Sequence, residues 1–165
     1  MPLFRDDEGE LRLVLVARGP LGRHGHQLSL PGGKHEPGDA SLLETALRET
    51  EEEIGLTRAN VEVIGALPPI DTRTTGFRVH PYLARIRPPE RWRLAEGEIT
   101  AVITPRVHTL ADPSLRREQL LSFPDWPEPR RVESLELDDG YLLWGLTLRL
   151  LEPLLQQLLN DEFAV

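Results

Sequence analysis

A short run of aliphatic side chains near the start of the chain gives the clearest hydrophobic pattern. Residues 11–17 read LRLVLVA, which predicts a buried strand. Similar segments predict further strands at residues 28–30, 61–67, 77–86, 99–103 and 131–137. The last of these, RVESLEL, alternates polar and apolar positions and predicts an edge strand. Residues 1–4 read as the remnant of an earlier strand, so we expect the chain to be a shortened form of a longer protein.

Two longer segments have the pattern of helices, at residues 41–54 and 140–159. Ser41 followed by Glu44 forms a capping-box pattern, and Gly55 is placed to end the first helix. Pro37 and Gly38 before it suit the centre of a type II turn. Strands outnumber helices without a regular alternation, which predicts an α+β fold built on a mixed sheet, with Pro153 kinking the second helix.

Composition and charge narrow the class of protein. The chain has 165 residues, which predicts one domain over residues 1–165, and a net charge of −8, which disfavours a nucleic-acid partner. It has no cysteine, which excludes disulfides and thiolate chemistry. We find no signal-like N-terminal run and no uninterrupted apolar stretch of about 20 residues. We therefore expect a cytoplasmic protein with no membrane partner.

The first predicted helix places negative charge where a helix disfavours it. At 100° per residue, its apolar positions share one face, and three glutamates fall roughly opposite: Glu49, Glu52 and Glu53. Like charges at this spacing repel, and the C-terminal end of a helix disfavours anions. A divalent cation with oxygen ligands would relieve the repulsion. The spacing alone is equally typical of a solvated acidic face.

The same segment resembles the box of the Nudix hydrolase family. The resemblance rests on Gly33, Asp39 and residues 48–56, which read RETEEEIGL. It implies a Nudix-type α/β/α sandwich with a mixed sheet, in which the box forms a loop–helix–loop. It also implies hydrolysis of a nucleoside diphosphate linked to another group. The general box has Glu at the position of Asp39 and one residue fewer before Arg48.

The resemblance assigns roles to individual residues. It implies that the carboxylates of Glu49, Glu52 and Glu53 and the carbonyl of Gly33 bind Mg²⁺ or Mn²⁺, while Arg48 orients a carboxylate. We expect Glu98, in preference to Glu96, to act as the general base from a loop outside the box, although a box glutamate such as Glu52 could serve instead.

The longer spacing after Asp39 resembles the coenzyme A diphosphatase branch of the family. Residues 13–33 read LVLVARGPLGRHGHQLSLPGG and match the upstream element of that branch at Arg18, His24, Gln27 and residues 31–33. Leu30 stands where the branch has Phe, and Arg23 and Gly25 are displaced by one position. Residues 64–71 and 141–147 also resemble the branch. The candidates for binding substrate phosphates are Arg18, Arg23, His24 and Arg73.

Three functions remain open at this point. The first is metal-dependent hydrolysis of the diphosphate of coenzyme A, its thioesters or its oxidised form, to 4′-phosphopantetheine and adenosine 3′,5′-bisphosphate. The second is the same chemistry on another small molecule, such as ADP-ribose, a dinucleoside polyphosphate or NADH. The third is a module that binds coenzyme A without turnover. The sequence leaves the oligomeric state open.

Overall fold

The computed structural model describes residues 1–18, 27–72, 76–122, 126–137, 140–163 and 165. Its helices are α1 (Leu42–Ile54), α2 (Val107–Ala111) and α3 (Gly145–Leu159). Its strands are β1 (Pro2–Arg5), β2 (Leu11–Leu13), β3 (Leu15–Arg18), β4 (Leu28–Ser29), β5 (Val61–Ala66), β6 (Ile70–Asp71), β7 (Arg78–Val79), β8 (Tyr82–Ile86), β9 (Ile99–Ile103), β10 (Arg116–Leu121), β11 (Arg130–Glu136) and β12 (Leu142–Trp144).

The strands form several small sheets. A mixed sheet has the order β2-β1-β8-β5, in which β1 and β8 run parallel and the other pairs antiparallel. Two antiparallel sheets have the orders β4-β3-β9 and β10-β11-β12, and β6 pairs with β7 as a hairpin. A parallel bridge between Gln27 and Leu142 connects the residue before β4 to the first residue of β12.

Residues 13–17 connect two hydrophobic cores. Successive side chains of a strand point to opposite faces, and both faces of this segment are buried. Leu13, Leu15 and Ala17 belong to a core that includes the apolar positions of α2 and α3. Val14 and Val16 belong to a second core, which contains Ile54 at the end of α1. The helices therefore cover this segment from both sides, and the predicted α+β sandwich is confirmed.

The helix that carries the box begins and ends at the predicted signals. Ser41 precedes α1, and its hydroxyl accepts a hydrogen bond from the backbone N–H of Glu44. Gly55 follows the last turn with a φ of 70°, and its N–H donates to the carbonyl of Glu51. The turn before the helix is closed by a bond from Asp39 N–H to the Glu36 carbonyl. Gly38 lacks the positive φ of a type II turn, so that prediction is wrong.

The C-terminal third of the chain differs most from the sequence prediction. The predicted helix over residues 140–159 begins only at Gly145, because residues 142–144 form β12. The predicted edge strand lies between β10 and β12 and is therefore central in its sheet. The sequence analysis missed both β10 and α2. Within the described residues, no helix combines the length and apolarity needed to cross a membrane.

Candidate active site

Arg48 gathers three carboxylates on the polar side of α1. We call Arg48, Asp39, Glu49 and Glu52 the Arg48 cluster. The Nε of Arg48 donates to Asp39 Oδ1 at 2.8 Å. Its two terminal nitrogens donate to Glu52 at 2.9 Å and to Glu49 at 3.2 Å. A further bond of 3.2 Å joins Arg48 to the carbonyl of Lys34 in the preceding loop. The planar guanidinium therefore ties two glutamates of the helix to the loop in front of it.

Asp39 is held in place from a second direction. The Thr45 hydroxyl donates to Asp39 Oδ2 at 2.8 Å and lies 3.0 Å from Nδ1 of His35. The side chain of Asp39 is only 6% exposed. The hydrogen bonds from Arg48 hold the pKa of Asp39 well below its usual range, and Asp39 in turn raises the pKa of Arg48. The pair therefore stays ionised, and Arg48 has little rotational freedom.

Arg18 joins two further carboxylates at the end of β3. We call Arg18, Glu53, Glu98 and Gly32 the Arg18 cluster. One terminal nitrogen of Arg18 lies 2.7 Å from Glu53 Oε1 and the other lies 2.8 Å from Glu98 Oε1. The backbone N–H of Gly32 donates to Glu53 Oε2 at 2.9 Å. Residues that are far apart in sequence thus meet around one guanidinium.

Backbone contacts place Glu98 near α1. The N–H groups of Arg93 and Ala95 donate to the carbonyls of Ile54 and Glu53 at 3.2 and 2.9 Å. These carbonyls belong to the last turn of the helix, where no helical donor is available. The loop that leads to Glu98 therefore completes the end of α1, and Glu98 is exposed immediately before β9.

Glu53 is not part of an exposed acidic stripe, contrary to the sequence prediction. It is 2% exposed, whereas the side chain of Glu52 is 59% exposed. Burial raises the pKa of Glu53, while the Arg18 charge and the Gly32 N–H act in the opposite direction. Glu53 lies at the border between the polar and apolar faces of α1, where the helix meets the loop of residues 31–33. The glutamates of the box consequently have different environments.

Gly33 lies against the carboxyl group of Glu49. A Cβ atom built on Gly33 would fall 2.2 Å from Cδ of Glu49 and 2.3–2.4 Å from its two oxygens. No side chain can occupy this position while Glu49 keeps its place, so the lack of a Cβ at Gly33 is required here.

The donor chemistry of this region fits a hard divalent cation. Arg48 pairs with Glu49 and Glu52 and also contacts the Lys34 carbonyl, while Arg18 pairs with Glu53 and Glu98 and also contacts the Gly32 carbonyl. Carboxylate oxygen is the preferred ligand of Mg²⁺ and Mn²⁺. In the described part of the chain, no three acidic or histidine side chains already converge as a ligand set. Each of these four carboxylates is paired with Arg18 or Arg48 through one of its two oxygens, so an ion would share the carboxylates with the arginines.

The structure brings together some of the residues singled out from the sequence. Arg48 with Glu49 and Glu52, and Arg18 with Glu53 and Glu98, form the two clusters. Arg23, His24 and Arg73 lie outside the described residues. The supporting contacts of Thr45 and His35 were missed, because the sequence signal at Asp39 indicated a cap and did not reveal its partners.

Comparison with known proteins identifies relatives. A family model described as the NUDIX domain matches residues 1–130. An uncharacterized Nudix hydrolase, NudL, from Salmonella paratyphi B is 37% identical over 142 residues, which cover 84% of this chain and 70% of the relative. The C. elegans Ap4A hydrolase in a binary complex is 19% identical, with a TM-score of 0.54, over 65% of this chain and 76% of that one. RenU, a Nudix hydrolase from M. smegmatis, is 17% identical, with a TM-score of 0.56, over 77% and 73%. The two structures show a shared fold.

Proposed function

The chain belongs to the Nudix hydrolase family, and from this premise we propose that it hydrolyses the diphosphate linkage of coenzyme A. Members of the family are pyrophosphohydrolases of nucleoside diphosphate derivatives, and they generally use divalent metal ions. The products here would be 4′-phosphopantetheine and adenosine 3′,5′-bisphosphate. A cytoplasmic location and a single domain over residues 1–165 stay predictions of the sequence.

The substrate assignment is carried by one observation, the upstream element in residues 13–33 that ends in Gly32 and Gly33. The placement of the other two branch-like segments supports it. Residues 141–147 approach the element through the bridge between Gln27 and Leu142. The end of residues 64–71 contacts α3, which follows residues 141–147, because Arg149 donates to the carbonyl of Asp71 at 3.4 Å.

Glu49, Glu52 and Glu53, with the Gly33 carbonyl, are the groups that would hold Mg²⁺ or Mn²⁺. When bound, such an ion offsets the charge of the diphosphate and lowers the pKa of water. Arg48 is a positioning residue, because it holds Glu49 and Glu52 while Asp39 fixes its own orientation. This arrangement fixes the carboxylates before substrate arrives.

Glu98 is the proposed general base. Its carboxylate is exposed and lies 2.8 Å from Arg18, which also binds Glu53. It would accept the proton of the attacking water as the new P–O bond forms, and the bridging oxygen would leave with the other phosphoryl group. Glu52 is the alternative base, because its side chain is also exposed. Arg18, Arg23, His24 and Arg73 remain the proposed contacts to substrate phosphates.

The test is incubation of the purified protein with coenzyme A and Mg²⁺ or Mn²⁺, with the products separated by chromatography. We expect the two named products, and no cleavage above background with Glu52→Gln. A higher kcat/KM for ADP-ribose, a dinucleoside polyphosphate or NADH would favour the alternative substrate. Equal cleavage of dephospho-coenzyme A would argue against recognition of the 3′-phosphate.

A further inference from the structure

Two buried threonines of α1, Thr45 and Thr50, use their hydroxyl groups differently. The hydroxyl of Thr50 donates to the carbonyl of Ala46, four residues earlier, at 2.6 Å, which is the usual bond of a threonine inside a helix. The corresponding carbonyl for Thr45 is that of Ser41, and it lies farther away, at 3.2 Å. The Thr45 hydroxyl therefore has only a weak partner in its own segment.

The stronger partner of the Thr45 hydroxyl is the carboxylate of Asp39. Its Oγ1 lies 2.8 Å from Asp39 Oδ2, and a hydrogen bond to a charged acceptor is stronger than one to a carbonyl. Since a hydroxyl carries a single hydrogen, the carboxylate receives it. A lone pair of the same oxygen is then left for Nδ1 of His35, which lies 3.0 Å away. The hydrogen bonds therefore run in one direction, from His35 through Thr45 to Asp39.

Asp39 is bound to α1 at two positions, Thr45 and Arg48. Arg48 contacts both carboxylate oxygens, at 2.8 and 3.1 Å, and Thr45 contacts Oδ2. Residues three apart in a helix lie on the same face, so both side chains approach the carboxylate from one side of α1. The N–H of Glu36 also donates to Oδ2, but it belongs to the same turn as Asp39. In the described part of the chain, Thr45 makes the one hydrogen bond that joins Asp39 to α1 without involving Arg48.

The orientation of Arg48 determines where two box glutamates are held. Its terminal nitrogens donate to Glu52 and Glu49, while its Nε donates to Asp39. A guanidinium is planar and rigid, so a rotation of the Asp39 carboxylate would move all of these nitrogens together. The additional bond from Thr45 opposes that rotation. The Thr45 hydroxyl can therefore influence the position of both glutamates through Asp39 and Arg48.

We propose that Thr45 is a positioning residue of the metal site. Its hydroxyl fixes the carboxylate of Asp39, and Asp39 fixes the guanidinium of Arg48. Arg48 in turn holds Glu49 and Glu52 in the arrangement that binds the ion. This inference rests on the metal ligands of the proposed function, and it is independent of which nucleoside diphosphate derivative is the substrate.

Thr45→Val keeps the shape of the side chain and removes the hydroxyl. We expect kcat for coenzyme A to fall about tenfold, the lower end of the effect found when an outer partner of a metal ligand is lost. KM should stay unchanged, because the hydroxyl is not a proposed substrate contact. Thr50→Val is the matched control and should keep wild-type kcat, since the same substitution in the same helix removes a hydroxyl that is bonded to the backbone. Thr45→Ser retains the hydroxyl and should recover wild-type kcat.

Calorimetric titration with Mn²⁺ in the absence of substrate tests the site without turnover. We expect about tenfold weaker binding to Thr45→Val, and wild-type binding to Thr45→Ser and Thr50→Val. Thr45→Ala and Thr45→Ser both lack the γ-methyl group and differ only in the hydroxyl. Comparison of these two variants therefore gives the same test if the valine variant folds poorly.

The outcomes separate this inference from the proposed function. Wild-type kcat and Mn²⁺ affinity in Thr45→Val would overturn the inference and leave the proposed function standing. Equal losses in Thr45→Val and Thr50→Val would also overturn it, because they would reflect general damage to α1. Weaker Mn²⁺ binding confined to variants without the Thr45 hydroxyl, together with no cleavage of coenzyme A by the wild type, would support the inference and reject the proposed substrate alone.

Discussion

Gly33 and Glu49 are in such close contact that the glutamate carboxyl group occupies the space of a Cβ on the glycine. The loop before α1 and the helix therefore constrain each other at a single position. Since Glu49 also binds Arg48, a displacement at Gly33 is transmitted to the whole Arg48 cluster.

Gly33→Ala should displace the Glu49 carboxylate and lower kcat by about 10- to 100-fold, the range found when the support of a metal ligand is lost. The free energy of unfolding should change little, because the end of the glutamate side chain can move. Gly38→Ala is the control, since a Cβ there meets nothing within 4 Å and no positive φ is required. Steady-state kinetics and chemical denaturation measure both effects; equal activity of the two variants would contradict a role for this contact.

Glu52→Gln should reduce kcat by about 100-fold or more, because a metal ligand and candidate base becomes neutral. Stability should be unchanged or slightly higher, since the side chain is 59% exposed and one repulsive charge is removed. Glu51→Gln, on the same helix and also exposed, should retain wild-type kcat. Calorimetric titration with Mn²⁺ should show weaker binding to Glu52→Gln only; unchanged affinity would contradict its assignment as a ligand.

Glu53→Gln should alter how stability depends on pH. The raised pKa of Glu53 means that the folded protein binds a proton more readily than the unfolded chain does. Glu53 therefore lowers the free energy of unfolding as pH rises from its pKa in the unfolded chain, near 4.5, through its higher pKa in the folded protein. In the absence of metal, the variant should match the wild type in acid and become relatively more stable toward neutral pH. Urea denaturation at several pH values measures this, and a constant difference would refute the assigned cause.

Arg48→Lys should lower kcat by about tenfold or more without a comparable change in KM. A lysine keeps the charge but cannot hold Asp39, Glu49 and Glu52 at the same time, because its three donors radiate from one nitrogen. Arg58→Lys is the matched control. Arg58 also pairs with a glutamate of α1, Glu44, but this pair lies away from the box glutamates. A loss of the same size in both variants would indicate that kcat reports general damage to α1.

Glu98→Gln should reduce kcat by about 100-fold, because the proton acceptor is lost. Glu96→Gln lies two residues away in the same exposed turn and should behave as the wild type. Steady-state measurement of kcat at saturating Mg²⁺ tests both variants. Wild-type kcat in Glu98→Gln would exclude Glu98 as the base and favour Glu52.

Local signals allowed the sequence to predict α1 and its boundaries. Ser41 and Gly55 act within one turn of the helix, and so their roles follow from neighbouring residues alone. The burial of Glu53 depends on the loops containing Gly32 and Ala95, which are distant in sequence. Helical spacing could therefore identify the glutamates of the box but not their different surroundings.

The error at β12 has a different origin. Residues 141–144 are apolar, and a short apolar run is compatible with either a helix or a strand. Hydrogen bonding with β11 favours the strand. Gly145 has a φ of 65°, and this change of backbone direction separates the strand from α3. The strand partner is not visible from the run itself.

Arg18 is the last residue of β3, and the segment that leads to it is packed from both sides. Packing against both hydrophobic cores therefore fixes the Arg18 guanidinium beside Glu53 and Glu98. A packing defect in either hydrophobic core would displace the Arg18 side chain, even if the defect lay far from the substrate phosphates. Turnover should accordingly decline at lower temperature or denaturant concentration than bulk secondary structure, which makes activity the more sensitive measure of an intact interior.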